Sequence, residues 1–591
     1  MTYRAPQNDI LFAMNHAAGL DRGIEQGIYS DLADGFAATI LDQAGTFAEE
    51  VLAPINRRGD LSGSRLEDGS VVTAPGWREA YTKWIEGGWA GLTAPQATGG
   101  MGLPHLLDAA CLEMWSSANM AFMLCPLLSS GAILALDRHG SNDLKRIYLP
   151  RIVSGEWSAT MNLTEPQAGS DLGALRTRAE RQGDGTYRLF GQKIFITYGD
   201  HDMAENIVHL VLARLPDAPA GTRGISLFLA PKFLLDDAGK PGKANDVRCH
   251  SLEHKLGIHG SPTCTMIYGD KDGAVAYLVG EENRGLACMF TMMNNARLSV
   301  GLQGVALAEM ATQKAIAFAN ERKQGRASGF TGQGMSPIVQ HPDVRRMLMT
   351  MKSSTMAART ICYMTAEAID RSHRAEDEAA RKQASERASL LTPVAKAFST
   401  DIGNEVTSLG VQVHGGMGFI EETGAAQFMR DARIAAIYEG TNGIQAIDLV
   451  QRKLPLSGGD AVAREIADMR ETVAQVSQVN DASFGHMSTR LAESVDALET
   501  ATRYMLEALG KAPDDALAGA VPYLRLFGLA RGGTALARMA LAAKQLGQGQ
   551  QAHIDIARFF AENMCIASRG LQLSVTEGAA SVHTAEKALA S

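Results

Sequence analysis

The chain has 591 residues, of which 46% are hydrophobic and 20% charged, and its net charge is −9. That length corresponds to roughly three or four units of about 150 residues each, with apolar content sufficient for sizeable cores. The acidic balance offers no bulk attraction to nucleic acid or to an anionic membrane, although local groups can still bind a phosphorylated small ligand. The seven cysteines, at 111, 125, 249, 264, 288, 362 and 565, form no CxxC pair and are odd in number. This argues against a disulfide framework or a zinc site, favours a reducing compartment, and makes them small buried hydrophobes; no metal ligand set is expected.

In chain order, the opening "MTYRAPQNDILFAMNHAAGLDRG" carries acids and lacks an unbroken apolar region of signal-peptide type, so a cytoplasmic protein is expected. Residues 1–35 read as an N-terminal extension. From 36 to 158 the pattern is helical: Leu32, Phe36, Ile40 and Phe47 recur at helical spacing, with Asp31 as a plausible cap. "GGWAGLTAPQATGGMGLP" reads as loop. "AFMLCPLLSSGAILAL" reads as buried helix and turn, because it is too short to span a bilayer and contains Pro126. Between 159 and 280 the period changes. "YRLFGQKIFITYG", "NIVHLVLAR", "GISLFLAPK" and "TCTMIYGD" predict short strands of an antiparallel barrel or sandwich. Helical pattern returns over 281–455. After a linker-like "PLSGGD", a helical extension fills 456–591.

Four stretches carry polar groups that could do chemistry. "MNLTEPQAGSDLGA" offers Thr164 and Ser170 with exposed backbone N–H groups, suited to a polar ring edge or a phosphate. "GQKIFITYG" places Phe195 and Thr197 on one side of a strand, an aromatic beside a hydroxyl that could pack a planar cofactor. "NERKQG" puts Arg322 and Lys323 at a helix end, where they could grip a pyrophosphate. Taken singly, these also fit a turn, a half-buried strand and ordinary basic residues at a helix C-terminus. The fourth stretch, "VQVHGGMGFIEETGAAQFMRDARIAAIYEGTNG", contains a glycine cluster that does not follow a clear strand. It therefore fits neither a dinucleotide loop nor, without a GxSxG elbow elsewhere, a lipase oxyanion motif.

Together "TEPQAGSD", "GQKIFIT", "ERKQG", "VQVHGGMGF" and "RDARIAAIYEGTNGIQ" occur in the order and at the spacing of the acyl-CoA dehydrogenase family, which the chain resembles over about residues 36–455. Its extensions are similar to those of a longer bacterial branch, and within that branch the whole chain most resembles the members acting on 3-(methylthio)propanoyl-CoA in dimethylsulfoniopropionate breakdown. The resemblance implies a helical domain, a middle β-domain and a four-helix domain, with FAD bound between the last two and across a contact in a homodimer or homotetramer. It implies flavin contacts from Met161, Leu163, Thr164, Gly169, Ser170, Phe195 and Thr197, with Phe195 where many members have tryptophan. Arg322, Gln412, Gly415 and Gly416 would reach a neighbouring subunit's FAD. Thr441 and Asn442 resemble further FAD contacts, and Gly443 stands where many relatives have glutamine. Ser170, Asn294, Arg297, Tyr438 and Gly440 would meet the substrate.

Glu439 matches the family's catalytic base. An acyl thioester's α-hydrogen is weakly acidic, and a carboxylate desolvated by Ile437, Tyr438 and the ligand has a pKa raised towards working pH. The β-hydrogen would leave as hydride to flavin, and electrons would pass to an electron-transferring flavoprotein. Residues 293–296, where some relatives carry the base, hold no carboxylate. An oxidase, another chain length, or a flavin-bearing DNA-associated stress protein are the alternative readings; no basic run in 460–591 supports the last.

Overall fold

The computed structural model describes residues 3–547 and 549–590; the first two residues of the N-terminal extension, Gln548 and Ser591 lie outside the described residues. The N-terminal helical part includes α1 (Phe36–Phe47), α2 (His105–His139) and α3 (Asn142–Val153). The helix expected from about residue 31 begins only at Phe36. Asp31 sits in a 3-10 turn (Ser30–Leu32) and pairs with Arg374 at 3.0 Å, and Gly35, at φ 80°, takes the cap position. Phe36 is exposed while Leu32, Ile40 and Phe47 are buried, so the apolar face spans a turn as well as a helix.

The apolar run around Pro126 belongs to the 35-residue α2. By length and composition this helix could cross a membrane, which corrects the expectation that it is too short, but 89% of its most apolar window is buried inside the protein. It is interrupted at Asn119 (φ −159°, ψ 86°). There the Asn119 side chain accepts from Phe122 N at 3.1 Å and restarts the helix as a cap does. The Ala121 carbonyl is met at 2.8 Å by the buried hydroxyl of Tyr198.

The middle part contains β1 (Trp157–Asn162), β2 (Arg178–Arg181), β3 (Tyr187–Thr197), β4 (Asn206–Arg214), β5 (Ile225–Pro231), β6 (Val247–Leu252), β7 (Thr263–Tyr268) and β8 (Ala274–Val279). They form one eight-stranded sheet in the order β6-β7-β3-β8-β5-β4-β1. β2 pairs with β3 and, through Arg178 and Arg214, with β4, which curls the sheet into a barrel. The sheet is not the purely antiparallel one that the sequence suggested: β1, which spans the boundary expected at 158/159, runs parallel to β4. Alternation sorts the β4 side chains. Val208, Leu210 and Leu212 pack towards α2 and α3, and Val211 and Ala213 fill the barrel. With both faces covered, the strand reads as a continuous apolar run.

The second helical part is built from α4 (Gly285–Glu321), α5 (Pro342–Arg374), α6 (Glu378–His414) and α7 (Asn442–Asp448). A buried Arg359 on α5 ties three helices together, donating to Glu113 on α2 (2.5 Å) and Glu309 on α4 (2.9 Å). The C-terminal extension adds α8 (Asp460–Ser477), α9 (Met487–Lys511), α10 (Ala520–Leu546), α11 (Gln551–Asn563) and α12 (Ser568–Glu577). Arg387 of α6 reaches Glu465 of α8 at 2.9 Å, and the buried Arg531 of α10 reaches the same carboxylate at 2.9 Å. At the other end of the chain, Asp9 pairs with Lys352 at 2.6 Å and Phe12 stacks on His553 with ring centres 3.8 Å apart. All seven cysteines are free and buried, as the absence of paired spacing suggested.

Candidate active site

A cavity of about 360 Å³ opens between the sheet and the second helical part. One wall comes from β1, the loop after it and β3: Met161, Leu163, Thr164, Gly169, Ser170, Phe195 and Thr197 all line it. The loop is anchored from behind. The Glu165 carboxylate accepts from Lys193 Nζ (2.8 Å), Arg176 N (2.6 Å) and Thr177 N (3.0 Å). Burial raises the Glu165 carboxyl, but the Lys193 ammonium and the N–H donors outweigh it and hold the group down at about 2. Lys193, fully buried, is pushed down to about 8 by desolvation against the pull of Glu165.

Phe195 sits where the β3–β7 register shifts, a bulge, with φ 60° and 59% of its surface exposed. A left-handed aromatic with an uncovered face is costly, and such outliers cluster at ligand sites. Among the described residues, the hydroxyls of Thr164, Ser170 and Thr197 make no hydrogen bond within the chain. This wall therefore presents one bare aromatic face and three free hydroxyls.

The opposite wall is helical. Leu286, Phe290, Met293 and Arg297 come from α4; Ile444, Ile447 and Asp448 come from α7; Leu128 of α2 and Thr222, Arg452 and Asp171 also take part. Between them lies Glu439. It does not end a helix but occupies a left-handed turn, with φ 55° at Glu439 and 85° at Gly440, between a 3-10 turn (Arg433–Ala436) and α7. The positive φ at 440 favours glycine, and a Cβ there would push against Gln445 Nε2 at 2.7 Å. The Gln445 amide holds the turn by donating to the carbonyls of Glu439 (3.3 Å) and Gly440 (3.4 Å). The Glu439 carboxyl lines the cavity, and the residue is half-buried. Desolvation pushes it up to about 7, against the opposing charges of Lys396 and Arg297.

Arg297 is buried, 3.4 Å from Asp448 and 3.5 Å from the Asn294 side chain, and its Nε has no partner among the described residues. Several residues assigned from the motifs lie off the cavity. The Thr441 hydroxyl caps α7 by accepting from Ile444 N at 3.2 Å. The Asn442 side chain is spent on α6, accepting from Lys396 (2.8 Å) and donating to Asp401 (2.6 Å) and Ala397 O (3.2 Å). Tyr438 donates its hydroxyl to Gln303. Asn294 is exposed, and its side chain contacts Arg297. Arg322, Gln412, Gly415 and Gly416 are exposed and away from this cavity.

Reading the sequence missed Lys396, whose charge acts on Glu439, and Asp448, which pairs with Arg297. A lone lysine inside the apolar "LLTPVAKAF" was the available signal, since a buried cation calls for a reason.

Four family models match in order: the N-terminal domain of acyl-CoA dehydrogenases over residues 37–156, their middle domain over 160–270, their C-terminal domain over 283–454, and the "acetyl-CoA dehydrogenase C-terminal like" model over 465–586. A relative from Ruegeria pomeroyi, named 3-methylmercaptopropionyl-CoA dehydrogenase, is 46% identical over 591 residues, 99% of this chain and all of its own length. The chain belongs to the acyl-CoA dehydrogenase family. Among solved structures, Caenorhabditis elegans ACDH-11 in complex with C11-CoA shares the fold at 21% identity, with a TM-score of 0.75 over 95% of this chain and 91% of its own. A Bacillus anthracis acyl-CoA dehydrogenase complexed with FAD shares it at 22% identity, with a TM-score of 0.74 over 93% and 88%. Acyl-CoA dehydrogenases are FAD-dependent oxidoreductases of the CH–CH bond of acyl-CoA. The bare aromatic face and the free hydroxyls of the sheet-side wall fit an isoalloxazine with its polar edge.

Proposed function

We propose that this acyl-CoA dehydrogenase acts on a short acyl-CoA, 3-(methylthio)propanoyl-CoA in particular, with Glu439 removing the α-proton. The observation that carries this reading is the Glu439 carboxyl, raised to about 7, on the wall facing Phe195 and Thr197. At that value the group is ionised in a large fraction of molecules near neutral pH and is still basic enough to take a proton from carbon. Among the described residues the Glu439 backbone N–H has no partner within the chain. It is the donor we assign to the thioester oxygen as that oxygen gains negative charge. Arg297, positioned by Asp448, keeps a second positive charge next to the base. Leu286, Phe290, Met293 and Ile444 exclude water from the acyl chain. FAD bound against the sheet-side wall supplies the acceptor for the β-hydride.

The full-length similarity to the Ruegeria pomeroyi relative supports the thioether substrate. We assign the next electron acceptor to an electron-transferring flavoprotein. We also assign Arg322, Gln412, Gly415 and Gly416 to a neighbouring subunit's cofactor in a cytoplasmic homodimer or homotetramer. Their exposure supports this, as does that of Met417 and Phe419 beside them.

The test is anaerobic bleaching of the flavin by a panel of acyl-CoAs, with wild type and Glu439→Gln. Bleaching is expected to be fastest with short and thioether acyl groups and nearly absent in the variant. Equal rates for long and short chains would remove the substrate assignment, and undiminished bleaching in the variant would remove the role of Glu439.

A further inference from the structure

Lys396 does not line the cavity; it sits behind the turn that carries Glu439. It lies in the middle of α6 with no exposed surface. Its ammonium donates at 2.8 Å to the Asn442 side-chain oxygen. Asn442 is the first residue of α7, and the same amide is fastened to α6 through Asp401 (2.6 Å), Ala397 O (3.2 Å) and Thr400 (3.0 Å). Among the described residues, no carboxylate comes within ion-pair distance of Lys396; the anions it feels are Glu439 and Asp401.

Anchoring Asn442 would need only a neutral donor. A charged lysine in this position carries a large desolvation cost that one amide oxygen does not offset. The cost has a use if the charge acts on Glu439. The ionisable groups around that carboxyl are Arg297 from α4, Lys396 and Asp401 from α6, the neighbouring Tyr438 hydroxyl, and Asp448, Arg452 and Asp171 on the cavity lining. The Arg297 charge is shared with Asp448 at 3.4 Å, whereas that of Lys396 is not paired. Substrate entry expels water and strengthens whichever cation remains near the base. Burial drives Glu439 up and Lys396 down, each to about 7, while their mutual attraction opposes both movements.

We infer that Lys396 is a positioning residue for the reaction: fastened to Asn442 behind the Glu439 turn, its buried charge keeps the base in its ionised, proton-accepting form. This rests on Glu439 being the α-proton base.

The test uses the FAD-loaded enzyme as wild type, Lys396→Met, Lys396→Arg and Glu439→Gln. Two quantities are followed against pH: the rate of anaerobic flavin reduction, and the infrared carboxyl band that is missing in Glu439→Gln. Losing the cation moves the acid limb of the rate profile and the infrared midpoint upward by about one pH unit in Lys396→Met. Reduction near pH 6.5 is then about tenfold slower, with little change in KM and near-wild-type rates at high pH. Lys396→Arg keeps the wild-type midpoint. A uniform loss of rate with an unmoved infrared midpoint would overturn the inference and reduce Lys396 to a packing role. If Lys396→Met does not fold, Lys396→Gln, which can still donate to Asn442 without a charge, is read by the same two midpoints. Failure of the base assignment is separate: it shows as undiminished flavin reduction in Glu439→Gln itself.

Discussion

Replacing Glu439 by glutamine should make the protein more stable at the pH where it works. The carboxyl rises from its ordinary 4.5 to about 7 on folding because burial disfavours the ionised form more than Lys396 and Arg297 favour it. The folded state therefore holds this proton more tightly than the unfolded chain does. Stability falls as pH climbs from about 4.5 to about 7, and it stays lowered above that range. At ~1.4 kcal/mol per pH unit the shift corresponds to about 3 kcal/mol. Part of this returns in Glu439→Gln, because Lys396 loses an attracting anion and is desolvated without compensation. A net gain of about 1–2 kcal/mol remains at pH 8, shrinking towards zero at pH 5. Denaturant unfolding of the FAD-loaded wild type and variant at pH 5, 6.5 and 8 measures the difference. A difference that is flat across pH, or a variant less stable than wild type at pH 8, would refute the account of a carboxyl held above its ordinary range by burial.

Glu165→Gln removes the negative charge opposite Lys193 Nζ and leaves one acceptor oxygen in place of two for that ammonium and the Arg176 and Thr177 N–H groups, so the loop carrying Thr164, Gly169 and Ser170 should loosen. FAD affinity should fall about tenfold or more in fluorescence titration, a loss of about 1.4 kcal/mol or more. Because the folded Glu165 carboxyl is held near 2, its contribution is present above about 4.5 and is lost as pH falls towards 2; the stability difference between wild type and Glu165→Gln should therefore shrink over that range in denaturant unfolding. Arg359→Met strands two buried carboxylates, Glu113 and Glu309, and should cost about 3–5 kcal/mol by urea unfolding. Adding Glu113→Gln and Glu309→Gln should recover much of that loss.

The sheet-side wall was legible because its chemistry is local. Thr164, Ser170, Phe195 and Thr197 come from two short runs whose residue types announce a polar loop and a half-exposed strand, and all four line the cavity. The barrel was only partly legible. β-branched runs mark strands wherever they lie, but nothing in "EWSATM" shows that it pairs parallel with a strand some 50 residues later. The interruption at Asn119, just before an apolar run, was not legible, because its cause is a single side chain capping the next turn. Thr441 and Asn442 show the limit of motif reading. They stand two and three residues after Glu439 in sequence, yet the left-handed turn directs one to cap α7 and the other to α6. Lys396 was overlooked for the converse reason: it is remote in sequence and becomes a neighbour of Glu439 only when α6 and α7 pack.

The contacts that join the first twenty residues to the last helices have a practical consequence. Phe12 and His553 lie face to face, and Asp9 grips Lys352 on the same α5 that buries Arg359. The outermost segments of the polypeptide thus hold each other, and through α5 they brace the catalytic half. Pruning the N-terminal segment would remove both contacts, and pruning the C-terminal helices would remove the Phe12–His553 stack, so the flanking sequence behaves as structural framework for the active half and not as dispensable trim.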